Sequence, residues 1–120
     1  AGEVHFGGAR ISWQVDSKRG LNRPRRLNGC EFFDADKVGS PILLRHWQPG
    51  DRFQPIGMAN PVKLQDFFTN HKVPLERRRR LILAATAEGE VFWVEGMRIS
   101  ERFKLSKQTI RRLQWCWKRL

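Results

Sequence analysis

Ala9, Ile11, Trp13 and Val15 occupy every second position of one short stretch, with Arg10, Ser12 and Gln14 between them. A period of two places the apolar side chains on one face of an extended chain, whereas a helix would scatter them around its circumference. The segment therefore commits the fold to at least one half-buried strand. The alternation returns over residues 113–117, and residues 30–33 and 42–47 read as further strands. Residues 81–87 and 90–94, separated by Glu88-Gly89, read as a β-hairpin. Glu95-Gly96 then turns the chain into a short extended piece over residues 97–99.

Between these runs the turn chemistry is explicit. Residues 18–28 are polar, basic and broken by Gly20 and Pro24, as in a loop or linker. Asp34-Ala35-Asp36-Lys37 reads as a turn whose carboxylates cap backbone N–H groups. Gln48-Pro49-Gly50-Asp51 reads as a tight turn, and Gly50 and Gly57 are placed to serve turns. Two short helices are expected in the middle. One is capped by Asn60, has Pro61 in its first position and carries Leu64, Phe67 and Phe68 on one face to about residue 70. The other is opened by Pro74 and carries Glu76 and Arg77 to Arg80, while Ser106 is a candidate cap for a last short helix. The sum is α+β: a mainly β mixed-sheet sandwich with two or three short helices.

Charge narrows the partners. The chain has 23 Lys+Arg against 12 Asp+Glu, a net charge of +11. The excess is uneven: about +2 over residues 1–44 and about +9 over residues 45–120. Such a surplus draws a protein toward polyanions, with nucleic acid the first candidate. No apolar run approaches the roughly 18 residues of a membrane span, and the N-terminus has no signal-peptide pattern. A cytoplasmic protein with no membrane partner is expected. Cys30 and Cys116 lack metal-ligand spacing and stand among aromatics, which points to buried free thiols.

Reactive constellations are harder to find. Neither common spacing of a phosphate-binding glycine loop occurs. His5, His46 and His71 are scattered and read as surface or hydrogen-bonded core residues, and Ser40 and Ser106 lack the context of a nucleophile. No metal site, no cofactor site and no catalytic residue is expected; an enzyme using Asp34, Asp36 or His46 is the rival. The basic motifs say more. Arg45 and Arg52 flank the turn at Pro49-Gly50, each with an aromatic nearby, and arginine's planar fork suits phosphate. The alternative is that Asp51 pairs with Arg52 and only stiffens that turn. In Arg77-Arg78-Arg79-Arg80 successive side chains lie about 100° apart on a helix, so they cannot converge on one ligand. Glu76, four residues before Arg80, is placed to engage it, which leaves Arg77 to Arg79 freer. Trp13, Phe67, Phe68, Phe92 and Trp115 fall at core positions, and Trp47 is the candidate exposed stacker on a base.

With these motifs placed, the sequence from Phe33-Asp34-Ala35-Asp36-Lys37 through Leu44-Arg45-His46-Trp47-Gln48-Pro49-Gly50-Asp51-Arg52-Phe53-Gln54-Pro55-Ile56-Gly57-Met58 resembles the C-terminal domain of the tRNA(Ile)-lysidine synthetase family. The likeness continues in Lys63-Leu64-Gln65-Asp66-Phe67-Phe68, Lys72-Val73-Pro74 with Arg77, Trp93-Val94-Glu95-Gly96-Met97-Arg98-Ile99 and Glu101-Arg102-Phe103. It departs from the family pattern at Leu75, where a basic residue is frequent, and at Leu81-Ile82-Leu83, where a proline is common.

The resemblance implies a parent ligase whose N-terminal domain, using ATP and Mg, adenylates the wobble cytidine of an isoleucine tRNA before lysine displaces AMP. The ATP-binding Ser-Gly-Gly-x-Asp-Ser loop of that domain does not occur in these residues. It further implies a fold similar to a domain of the phenylalanyl-tRNA synthetase β-subunit, and a non-catalytic role in gripping tRNA at the acceptor stem beside the catalytic domain. On this basis residues 30–120 are expected to form the tRNA-binding domain. Residues 1–29 would supply one or more N-terminal strands and a basic linker at the edge of a preceding domain. Arg45, Arg52, Lys63, Lys72, Arg77 and Arg78 are the expected phosphate contacts. The alternative is a structural, interdomain module whose charge is incidental.

Overall fold

A computed structural model describes residues 2–17, 29–97 and 99–120. In chain order its elements are β1 (Gly2–Phe6), β2 (Ala9–Asp16), β3 (Cys30–Asp34), α1 (Ala35–Val38), β4 (Leu43–His46) and β5 (Arg52–Phe53). There follow β6 (Val62–Lys63), α2 (Leu64–Asn70), α3 (Leu75–Arg80), β7 (Ile82–Ala85), β8 (Val91–Val94) and β9 (Arg112–Arg119). The fold is α+β, mostly strand with three short helices, and every described strand pairing is antiparallel. Two compact units are formed, one from Ala1–Gly39 with Phe103–Leu120 and one from Ser40–Arg102. The units do not divide at residue 30, because β2 and β3 both pair with β9. The loop expected over residues 18–28 lies outside the described residues.

The first unit is a four-stranded sheet of order β1-β2-β9-β3. Its register explains the alternation. Ile11 faces Trp117, Trp13 faces Trp115, and Val15 and Phe33 both face Leu113, so all share one side of the sheet. Ile11, Phe33, Leu113 and Trp115 are buried there, while Val15, near the strand end, is 45% exposed. Trp13 and Trp115 stack with ring centroids 6.1 Å apart. Gly2 stands opposite Trp13, where any Cβ would overlap the indole.

The opposite side of this sheet carries Cys30 and Cys116. They are directly paired in register and form a disulfide with Cα atoms 4.0 Å apart, so the expectation of free thiols fails. The pairing was hidden because 86 residues separate the two in sequence, and only the β3–β9 register brings them together. On the same side Arg112, buried, makes two 3.0 Å bonds to Asp16 and lies over the Phe32 ring.

Asp34 performs the capping role expected of it. Its Oδ1 accepts from the N–H groups of Asp36 and Lys37 and so starts α1, while Oδ2 accepts from the Thr109 hydroxyl. Ser106 caps a turn closed by Thr109 N–H to Ser106 O and not a helix.

The second unit combines a sheet of order β4-β7-β8 with the β5-β6 ribbon. Phe53, Leu64, Phe67, Phe68, Val73, Leu83 and Val94 are among the buried members of its core, with Trp47 packed against them. The expected helix from Asn60 begins later, at Leu64. Val62 and Lys63 instead extend to pair with Phe53 and Arg52, and the Leu64 N–H donates to Asp51 O. Long-range pairing thus overrides the local signal of Asn60-Pro61. Arg98, in the middle of the extended piece expected over residues 97–99, lies outside the described residues; the Met97 N–H donates to Val94 O, and the Ile56 N–H donates to Ile99 O.

Candidate nucleic-acid interface

Pro49 and Gly50 occupy the middle of a turn closed by the Asp51 N–H donating to Gln48 O at 3.1 Å. Gly50, with φ +96, takes the left-handed position that such a turn gives to glycine. Asp51 then locks the turn from its side chain. Its Oδ2 accepts from the Gln48 N–H at 2.7 Å, and its two oxygens accept from Arg45 Nη1 and Nη2 at 2.8 Å each. The Asp51 hydrogen bond, more than any other influence, holds the Arg45 guanidinium above its ordinary pKa, against the opposing effect of burial. Arg45 also donates to His46 O. The turn is therefore stiffened by Arg45, and not by Arg52 as the alternative reading had it.

Arg52 is left exposed, and it faces Lys63 directly across β5–β6. Two cations opposite one another on neighbouring strands repel. Lys63 is also the N-cap residue of α2 and offers that helix no side-chain cap, so a positive charge sits at the positive end of the helix dipole. Neither Arg52 nor Lys63 has a side-chain partner among the described residues.

At the other end of α2, the Val73 N–H donates to Phe68 O and the Lys72 N–H to Thr69 O, the two bonds of a Schellman turn. The position between helix and exit strand needs a positive φ. It is filled by Lys72 at φ 54, where glycine would fit without strain. Lys72 is exposed and its side chain has no partner among the described residues.

The four arginines of α3 have different roles. Arg78 Nε donates to Val73 O at 2.7 Å, Nη2 reaches Thr69 Oγ1, and the guanidinium lies 5.8 Å from the Phe68 ring centre. It fastens α3 to the end of α2. Arg80 is also engaged within the protein. Arg77 and Arg79 are exposed and have no side-chain partner among the described residues. Of the six cations expected to meet phosphate, Arg52, Lys63, Lys72 and Arg77 thus remain available, whereas Arg45 and Arg78 hold the fold. Arg79, which the reading of Glu76 with Arg80 leaves free along with Arg77 and Arg78 but which is not among the six, belongs with the available group.

The other sequence candidates have structural occupations. Trp47 is half-buried and meets Phe68 edge-on at 5.9 Å, so it is a core residue and not an exposed stacker. His46 Nδ1 lies 3.1 Å from Leu81 O, and Asp36 binds Arg111. Among the described residues no cluster of three or more His, Cys, Asp or Glu side chains could hold a metal ion.

Residues 42–115 match the family described as TilS substrate C-terminal domain. The chain is 45% identical over 87 residues to the tRNA(Ile)-lysidine synthase of Clostridium acetobutylicum, an alignment covering 70% of this chain and 19% of the relative. To the enzyme of that name from Caldanaerobacter subterraneus it is 43% identical over 79 residues, covering 66% and 17%. It thus spans less than a fifth of the length of these relatives. A crystal structure of a TILS C-terminal domain superposes with a TM-score of 0.77 at 23% identity, covering 95% of this chain and 86% of that one. An N-terminal fragment of the phenylalanyl-tRNA synthetase β-subunit from Pyrococcus horikoshii superposes at 0.61 with 19% identity, covering 76% and 28%. At these identities the two superpositions speak for the fold.

Proposed function

The chain belongs to the TilS substrate C-terminal domain family, and from that premise we propose that its work is to grip tRNA for a lysidine-forming ligase while supplying no reacting group itself. The observation that carries the reading is Lys63. A cation held opposite Arg52 and at the N-terminus of α2, with no counter-ion among the described residues, lowers the stability of its own surroundings. A bound phosphate reverses the sign of both interactions. Lys72, in a backbone conformation that glycine would adopt more easily, argues in the same direction.

Arg52, Lys63, Lys72, Arg77 and Arg79 are the proposed phosphate contacts, with Arg45 and Arg78 as positioning residues. A base-paired stem, the acceptor stem of isoleucine tRNA in this proposal, presents phosphates and 2′-hydroxyls in a regular array and needs no base-specific pocket. Direct binding of an isoleucine tRNA transcript to the chain, followed by fluorescence anisotropy, tests the reading. Arg52→Gln with Lys63→Gln should weaken binding while leaving the melting temperature unchanged or higher. Unaltered affinity in that double variant, with the fold intact, would show that this surface does not hold RNA.

A further inference from the structure

In the Ser40–Arg102 unit a cleft of about 310 Å³ opens beside the turns at Gly50-Asp51 and Gly89-Glu90. Gly50 and Gly89, at φ +96 and +90, put no side chain into the space. Phe53, Pro61 and Val91 supply apolar lining. Two opposite charges, Arg52 and Glu90, also line the cleft without pairing to each other. Glu90 binds Arg102 through Oε2, and among the described residues its Oε1 accepts no hydrogen bond. The cleft is therefore lined by a basic residue, apolar residues and an acidic residue whose second carboxylate oxygen has no hydrogen-bond partner among the described residues.

A nucleotide carries the complementary set: a phosphate for Arg52 and the facing Lys63, a flat base for the apolar wall, and an exocyclic amine for Glu90. A bare phosphate would use only the first. A base inside a duplex hides its faces and Watson–Crick edge, so the occupant must be unpaired. We propose that this cleft receives one unpaired nucleotide of the bound RNA whose base bears an exocyclic amine, that is, any base but uracil. The inference rests on the tRNA-grip reading, since a surface that holds an acceptor stem lies beside the single-stranded 3′ end. Uracil is disfavoured because it presents a carbonyl oxygen where cytosine presents its amine, which would meet Glu90 acceptor to acceptor.

The experiment compares three isoleucine tRNA transcripts on the 120-residue chain: intact, lacking the unpaired 3′ nucleotides, and with those nucleotides replaced by uridine. Each alteration should weaken binding about tenfold, within the range that one recognised nucleotide supplies. Glu90→Ala should bind all three equally, at the level of the truncated RNA. Arg102→Gln, which breaks the ion pair but keeps the carboxylate, should retain the preference for intact RNA. As a check that needs no variant to fold, cytidine monophosphate should shift the amide resonances of Arg52, Glu90 and Val91 while uridine monophosphate should not. If the unaltered chain binds intact and truncated tRNA alike, or Glu90→Ala still discriminates, the cleft is not a nucleotide site and the tRNA-grip reading stands. Failure to bind any of the three transcripts overturns both.

Discussion

Lys72 sets two demands against each other within one residue. At φ 54 a side chain beyond glycine costs about 1 kcal/mol in backbone strain. Lys72→Gly should therefore raise stability by roughly 0.5–1 kcal/mol in denaturant titrations and at the same time weaken tRNA binding. A variant that gains stability without losing affinity would make the lysine incidental. Arg45 and Arg52 separate in the opposite way. Arg45→Gln removes two 2.8 Å bonds to Asp51 and should lower stability by about 1–2 kcal/mol. Arg52→Gln should leave stability alone and lower affinity. Because the Arg45 pKa is raised on folding, its contribution is fully present below its unfolded value and is lost only as pH climbs through the higher folded one. No change from this pair is expected across neutral pH. The sequence could show that Asp51 and two arginines shared a turn. It could not show which arginine Asp51 would choose, because Arg45 reaches it from a different strand.

At the scale of elements, α3 shows where one-dimensional reasoning stops. Helical geometry distinguished four directions for four arginines, but only the packing of α3 against the end of α2 made Arg78 structural and left Arg79 available. Arg78→Gln should destabilise the protein by about 1–2 kcal/mol, a lost hydrogen bond plus a lost ring contact. Arg77→Gln should keep the melting temperature and reduce the salt slope of tRNA binding by about one. Similar loss of affinity with no loss of stability in the Arg78 variant would contradict the assignment. The strands β2 and β9 were legible because their alternation is a local pattern with one buried face. The start of α2 was not, since Val62 and Lys63 pair with a strand some ten residues earlier, and β1, with exposed Glu3, Val4 and His5, carries little pattern of its own. The cysteine bridge was illegible for the same reason as the Arg45 pair: it is a fact of register, not of spacing.

For the molecule as a whole, the count of 23 basic residues overstates the number of phosphates it can meet. Arg45, Arg102, Arg111 and Arg112 are paired with carboxylates. If Arg52, Lys63, Lys72, Arg77 and Arg79 carry the contacts, log affinity should fall against log salt with a slope of roughly −4 to −5. A slope near zero would mean that counterion release is not the source of binding. Reducing the Cys30–Cys116 bridge, which closes a loop of 86 residues, should lower stability by about 2–4 kcal/mol, as a melt with and without reductant would show. The strand order has a further consequence for how the chain comes into being. β9 lies between β2 and β3, yet it is synthesised after both of them. On a ribosome the stretch Ser40–Arg102 is complete while the first sheet still lacks its middle. Until Arg112–Arg119 emerge, β2 and β3 have no shared neighbour, and their open edges are the kind that recruit foreign strands. A message cut short before Arg112 would thus yield one finished unit attached to strands with nothing to join them.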